Sequence, residues 1–284
     1  MTLLAIETAT DMVGAALLRD DGGGAERMHL GGRAHAELLA PAIEEVCAAS
    51  GCTVADVDTV AVDVGPGLFT GLRVGVATAK ALAQGLGIGV LGVGSLDVLA
   101  AAAAAADGAA AAPEGSGTAP SRAIAAVLDA RRGEVFVAAY RFDRAGEAGP
   151  GSGRSVDAPV DPRSVRSDRV DPMAPQAAAD WLSEVAADAG VVTVVGDGAV
   201  RYRSLLSVHG HLDLSMADRF PSPPPLALAG LARRRLDSGA PTVSPGALVP
   251  DYRRPADARI NWERRPTRPP GGGGDRRPAA GGSR

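Results

Sequence analysis

A run of short apolar strands that passes into alternating helices and strands constrains this chain more than any other feature. Residues 2–7 and 12–19 read as a strand pair joined by a turn at 8–11, with a third strand over 26–30. A helix over 34–50, strand 59–64, helix 70–86, strand 88–93 and a helix from Ser95 complete a β-β-β-α-β-α-β-α series. Such alternation predicts an α/β protein, a mixed or parallel sheet with helices on its faces. Past an Ala, Gly, Pro and Ser stretch at 106–121, a similar hairpin follows, with strands 123–130 and 134–142 about a turn at 131–133. A Pro- and Asp-rich loop (157–175), a helix at 176–189, a strand at 191–195, a Gly196-Asp197-Gly198 turn and a helix from Ala199 come next. Each half opens on a hairpin whose first strand ends in an acid, Glu7 in one and Asp129 in the other, an internal repeat that predicts two related lobes. The expected organisation is a lobe over 1–105 joined by a C-terminal helix within 223–240, a loop at 106–120, a second lobe over 121–222, and a terminal segment from 241.

The length of 284 residues allows one large or two smaller domains with a substantial core. A formal net charge of −4 and a pI near 5.6 argue against a general polyanion binder. Cys47 and Cys52, the only cysteines, make neither a disulfide framework nor a zinc site. Glu7 interrupts the first apolar stretch, so no signal peptide is expected. No run is apolar enough to span a bilayer, since Asp107 breaks the alanine tract at 100–112. These features predict a cytoplasmic protein with no membrane role. Residues 255–284 carry seven Arg against three acids with many Gly and Pro, and read as a solvated tail in preference to an electrostatic arm for RNA.

Between strand 59–64 and helix 70–86 lies Val64-Gly65-Pro66-Gly67-Leu68-Phe69-Thr70-Gly71-Leu72-Arg73. Gly65 and Gly67 free the backbone around Pro66, and Thr70 is placed to cap the helix. A glycine-rich turn into a helix can cradle an anion with its N–H groups, or can pack loop tightly against helix. No Gly-Lys-Ser/Thr follows, so close packing is the preferred use.

Helix 70–86 holds only Arg73, Lys80 and Gln84 as strongly polar residues past its start, and they fall on one stripe. A helix that covers a sheet needs one apolar face, and this one is apolar over most of its circumference. Gly71, Gly75 and Ala79 would let another backbone approach. Helix 34–50 carries an apolar stripe and further alanines off it. Together the two predict a protein–protein interface, with Ala36, Leu39, Ala40, Ile43, Val74, Thr78 and Ala81 as its candidate residues.

No catalytic constellation and no metal-ligand set is evident. His209 and His211 lack a third ligand and read as surface residues, and His35 reads as a helix-start residue. Glu7, Thr8, Thr10 and Asp11 in the first hairpin turn, facing Asp129 and Gly196-Asp197-Gly198, outline a nucleotide cleft of the kind a two-lobed phosphotransferase uses. The set offers acids and hydroxyls without a base–nucleophile pair, which predicts a vestigial cleft.

Leu4-Ala5-Ile6-Glu7-Thr8-Ala9-Thr10, His35-Ala36-Glu37-Leu38-Leu39-Ala40-Pro41 and the glycine–proline motif closely resemble the TsaB (YeaZ) family. So do Asp129-Ala130-Arg131 with Glu134-Val135-Phe136, and Pro250-Asp251-Tyr252-Arg253; the shared motifs span about residues 1–255. The resemblance implies a two-lobed actin-like, sugar-kinase-like fold, each lobe built on a ribonuclease-H-like mixed sheet with flanking helices. It implies a non-catalytic subunit that pairs with the paralogue TsaD, and with the ATPase TsaE, for threonylcarbamoyl transfer to the adenosine beside the anticodon of tRNA. On that reading ATP or ADP and magnesium sit in TsaD, nucleotide binding here is weak at most, tRNA is met through the complex, and the chain alone forms a homodimer. The family's contact with TsaD falls on the helices matching 34–50 and 70–86. The catalytic paralogue's two His match Ser95 and Leu99 here, neither of which suits a metal. Glu7 replaces an Asp common in relatives, which weighs against an inherited magnesium site. A different class of function, a self-sufficient ATP-dependent phosphotransferase or glycoprotease-like peptidase of the same fold, is the alternative.

Overall fold

In the computed structural model the described residues are 1–32, 34–109, 122–142, 164–165 and 171–253. The first strands, β1 (Thr2–Glu7), β2 (Met12–Arg19) and β3 (Gly24–Leu30), form an antiparallel meander. Helix α1 (His35–Ala49) leads to β4 (Thr59–Gly65), and α2 (Phe69–Leu86) leads to β5 (Val90–Gly94). Both of these strands run parallel to β1, so the sheet order is β3-β2-β1-β4-β5. Helix α3 (Ser95–Ala109) follows.

The second hairpin is β6 (Arg122–Arg131) and β7 (Glu134–Phe142), flanked by β8 (Ser164–Val165). Helix α4 (Pro175–Ala189), strand β9 (Val192–Val195), short helices α5 (Asp197–Arg201) and α6 (Arg203–Leu206), and β10 (Leu212–Asp213) complete the second sheet. Its order is β10-β9-β6-β7-β8, with β9 and β10 parallel and β7 and β8 antiparallel to their neighbours. Read outward from the hairpin, both sheets have the same plan, which is the internal repeat expected from the two acid-ended hairpins. Helix α7 (Pro225–Asp237) returns to the first sheet.

Burial on both faces explains why the central strands are almost wholly apolar. In β1, Leu4 and Ile6 face a core shared with α1 and α2, while Leu3 and Ala5 face α3 and α7. In β6, Ala123, Ala125 and Val127 face α4, and Ile124, Ala126 and Leu128 face α3. Helix α3 therefore serves both sheets: Val98 and Ala101 pack with the first, and Leu96, Leu99, Ala100 and Ala103 with the second. Its alanines are small because two sheets close on it. Asp97 on α3 accepts hydrogen bonds from Tyr140 Oη on β7 (2.9 Å) and Arg235 Nη2 on α7 (2.6 Å), a polar tie in the same layer.

The stretch expected to begin a loop at 106 is helical through Ala109, because alanine favours continuing α3. The rest of that loop, most of the 157–175 loop and the Arg-rich tail from 255 lie outside the described residues. Among the described residues no helix is long and apolar enough to cross a membrane.

Candidate functional site

The glycine–proline motif works by close approach. A Cβ on Gly67 would stand 2.3 Å from Ala9 O, one on Gly71 2.0 Å from Thr8 O, and one on Gly75 2.2 Å from Thr8 Oγ1. The first hairpin turn thus lies directly on α2, and Leu68 N–H donates to Ala9 O at 2.7 Å. The ridge of Gly71, Gly75 and Ala79 is consumed inside the chain and leaves no groove for an outside backbone. Thr70 is not the cap: Leu68 holds that position in extended conformation with no side-chain cap bond, and Thr70 is exposed inside the first turn. The Gly65–Pro66 peptide is cis, and Gly65 has φ 109°. The C-terminal Pro250-Asp251-Tyr252-Arg253 segment closes over the motif. Asp251 N–H donates to Val64 O at 2.7 Å, and the Tyr252 and Phe69 rings lie 4.9 Å apart with Arg73 over Phe69.

Glu7 turns away from the cleft and towards β4. Its Oε1 accepts from Ala9 N at 2.7 Å, and its side chain lies beside the Asp63 carboxyl, with Glu7 Oε2 and Asp63 Oδ2 both buried and without a hydrogen-bond partner. Asp63 Oδ1 accepts from Gly65 N at 2.7 Å and from Ser95 Oγ at 2.5 Å. Both carboxyl groups are fully buried. Burial, then the neighbouring Asp63 carboxyl, holds Glu7 well above the usual carboxylate range. Asp63 is also raised, again chiefly by burial, with the bonds from Glu7, Ser95 and Gly65 pulling the other way.

The residues that outline the cleft, Glu7, Thr8, Thr10, Asp129 and Gly196-Asp197-Gly198, make bonds and close contacts within the chain. Thr8 is buried against α2, and Thr10 Oγ1 accepts from Met12 N at 3.2 Å. Gly196 and Gly198 pack on β6, where added Cβ atoms would stand 2.1 and 2.8 Å from Val127. Asp197 Oδ1 accepts from Asp129 N at 2.8 Å, and burial pushes Asp197 up to about 6. Between the two hairpin turns lies Arg131: its Nη2 is 2.8 Å from both carboxylate oxygens of Asp11, and its Nη1 is 3.2 Å from Asp129 Oδ2. Arg201 Nη1 adds a bond to Asp129 Oδ2 at 3.1 Å. Asp11 and Asp129 are thus paired with arginines, and Gly196 and Gly198 lie against β6. Among the described residues no group of three or more His, Cys, Asp or Glu gathers as a metal site.

The outer faces of α1 and α2 are different. Both helices cover the same side of the first sheet and touch one another. Outward they present Ala36, Ala40 and Ala48 on α1 and Ala77 and Ala81 on α2, all exposed, with Val74 and Thr78 half-buried beside them. Leu39 and Ile43 do not belong to this face. They are 2% and 4% exposed and pack with Ala42, Val46, Val76 and Ala79 under the sheet, because they sit on the apolar stripe that α1 spends on its own core. Glu37, Glu44 and Glu45 on α1 and Arg73 on α2 are exposed as well, with Glu37 and Glu44 among Ala36, Ala40 and Ala48 on the outer face of α1.

Three supporting features escaped the sequence reading. His35 does start α1, and it is buried, with Nε2 2.8 Å from Thr10 O, so it also ties that helix to the first hairpin turn. Asp63 had a visible signal, an acid inside an apolar strand. The Arg131–Asp11 pair had none, since it joins residues 120 apart. His209 Nδ1 pairs with Ser183 Oγ at 3.0 Å while His211 is exposed, so the two do not converge.

The family model described as TsaD: tRNA N6-adenosine threonylcarbamoyltransferase matches residues 29–160. An uncharacterized protein of Mycobacterium tuberculosis (strain ATCC 25618 / H37Rv) is 40% identical over 163 residues, 57% of this chain and 68% of that protein. A second relative, from Mycobacterium leprae (strain TN), is 40% identical over 164 residues, and the chain spans 40% of its length. The tRNA threonylcarbamoyladenosine biosynthesis protein TsaB of Bacillus subtilis (strain 168) is 28% identical over 266 residues, 92% of this chain and 98% of that one. A crystal structure described as an uncharacterized protein with similarity to peptidase YEAZ from Pseudomonas aeruginosa matches with a TM-score of 0.66 at 25% identity, over 89% of this chain and 99% of that one.

Proposed function

The chain belongs to the TsaB family, with its two-lobed actin-like fold, and from that premise we propose that it is a non-catalytic subunit in the synthesis of threonylcarbamoyladenosine on tRNA. It pairs through the outer faces of α1 and α2 with a threonylcarbamoyltransferase paralogue, TsaD, and the ATPase TsaE joins them. The observation that carries this reading is the set of exposed alanines on α1 and α2, on a lobe whose first hairpin turn is tied to the second lobe by the Arg131–Asp11 pair. Small side chains on paired helices let a second pair of helices pack closely, and the acidic and basic residues beside them set its register.

The chemistry is assigned to the partner. Ser95 Oγ is bonded to Asp63, and Leu99 is buried between the sheets, so the positions matching the paralogue's histidines serve the fold here. Nucleotide and magnesium belong to TsaD, tRNA is met through the complex, and the work is done in the cytoplasm. The test measures binding of the purified chain to purified TsaD by calorimetry and ATP turnover by the chain alone. The expected result is a heterodimer and no turnover above background. Appreciable turnover by the chain alone would restore the phosphotransferase alternative.

A further inference from the structure

We propose that Arg131 is a positioning residue for the partner-facing helix: it holds the Asp11 turn from which the start of α1 hangs. The inference rests on the reading of α1 and α2 as the partner face. Arg131 has φ 64°, and Arg132 and Gly133 follow at 55° and 78°. Positive φ at Arg132 and Gly133 suits a two-residue hairpin turn. Arg131 itself sits at the register shift in front of that turn, where a side chain bearing a Cβ is disfavoured at positive φ. That conformation aims the guanidinium out of its own lobe, and strain of this kind persists where surrounding contacts over-determine it.

The contacts are a chain of bonds. Nη2 bridges both Asp11 oxygens at 2.8 Å, while Nη1 and the backbone N–H of Arg131 hold Asp129 at 3.2 and 3.0 Å. Asp11 in turn presents its carbonyl to Gly31 N (2.8 Å) and Gly32 N (3.0 Å), which lie just ahead of α1. His35, the first residue of α1, bonds the next carbonyl of the same turn. The second lobe therefore grips the turn that fixes where α1 begins, and with it the placement of Ala36 and Ala40. The side chains of Arg131 and Asp11 are 40% and 47% exposed, so an isolated pair would contribute little; linkage to Asp129 and Arg201 makes it a network.

The experiment is a cycle of Arg131→Gln, Asp11→Asn and the double variant, read by hydrogen exchange at the Gly31 and Gly32 amides and by affinity for purified TsaD. Each single variant should raise exchange at those amides by about fivefold, as expected for loss of roughly 1 kcal/mol. Each should weaken TsaD binding by a similar factor, and the double variant should be no worse than the worse single. The wild-type advantage should shrink as salt is raised. Unchanged exchange in Arg131→Gln, additive effects in the double variant, or unaltered TsaD affinity would overturn the proposal. Ala40→Glu is measured alongside. If that variant still binds TsaD, the interface reading has failed, and the exchange data judge the Arg131 contact on their own.

Discussion

At the residue scale the most consequential pair is Glu7 on β1 and Asp63 on β4, two neighbouring carboxyls that are both fully buried and both raised above the usual carboxylate range. An acid whose folded pKa lies above its unfolded value binds more protons in the folded chain. Its stabilising contribution is complete below the unfolded value, about 4.3 for Glu, and is lost as pH rises through the folded value. Thermal stability should therefore fall as pH rises above about 4.3, and Glu7→Gln, whose amide stays neutral across this range, should flatten that slope. Asp197, raised to about 6, contributes in the same direction below that pH, so Asp197→Asn should remove the acidic end of the slope. Melting curves across pH check both. Glycines give a second contrast. Gly71→Ala drives a methyl into Thr8 O and should cost about 1–3 kcal/mol. Gly85→Ala meets nothing within 4 Å and should stabilise α2 by about 0.5–1 kcal/mol, both read from denaturant unfolding.

At the scale of elements, strand and helix positions were legible in the sequence because they depend on local apolar runs and periodicity. Helix α1 falls within a residue of its expected ends, and β1 and β2 coincide with theirs. The direction in which each helix faces was less legible. An apolar stripe and a set of exposed alanines both read as candidates for a partner, and only the sheet beneath decides that Leu39 and Ile43 are spent inside. The cleft residues were hard to assign from sequence for a related reason. Acids and glycines in two turns carry the same signal whether they meet a phosphate or an arginine from the other lobe, and the answer depends on contacts between distant residues. These assignments separate two variants on one helix. Ala40→Glu should abolish partner binding with little change in melting temperature, whereas Leu39→Ala should cost about 2–5 kcal/mol of stability. Pull-down with TsaD and unfolding curves on the same samples distinguish them.

At the scale of the molecule, two sheets of one plan share α3, and their hairpin turns meet through Arg131. The exposed alanines on α1 and α2 are the face proposed for a partner. Alone, the chain should form a homodimer through α1 and α2; sedimentation at micromolar concentration should show a dimer, and Ala40→Glu should return it to a monomer. The measurement that bears most directly on the function is the rate of threonylcarbamoyl transfer to tRNA by purified TsaD and TsaE, with and without this chain. Transfer should require the chain, and a chain carrying Ala40→Glu should fail to restore it. Full transfer in the chain's absence would contradict the role proposed for it.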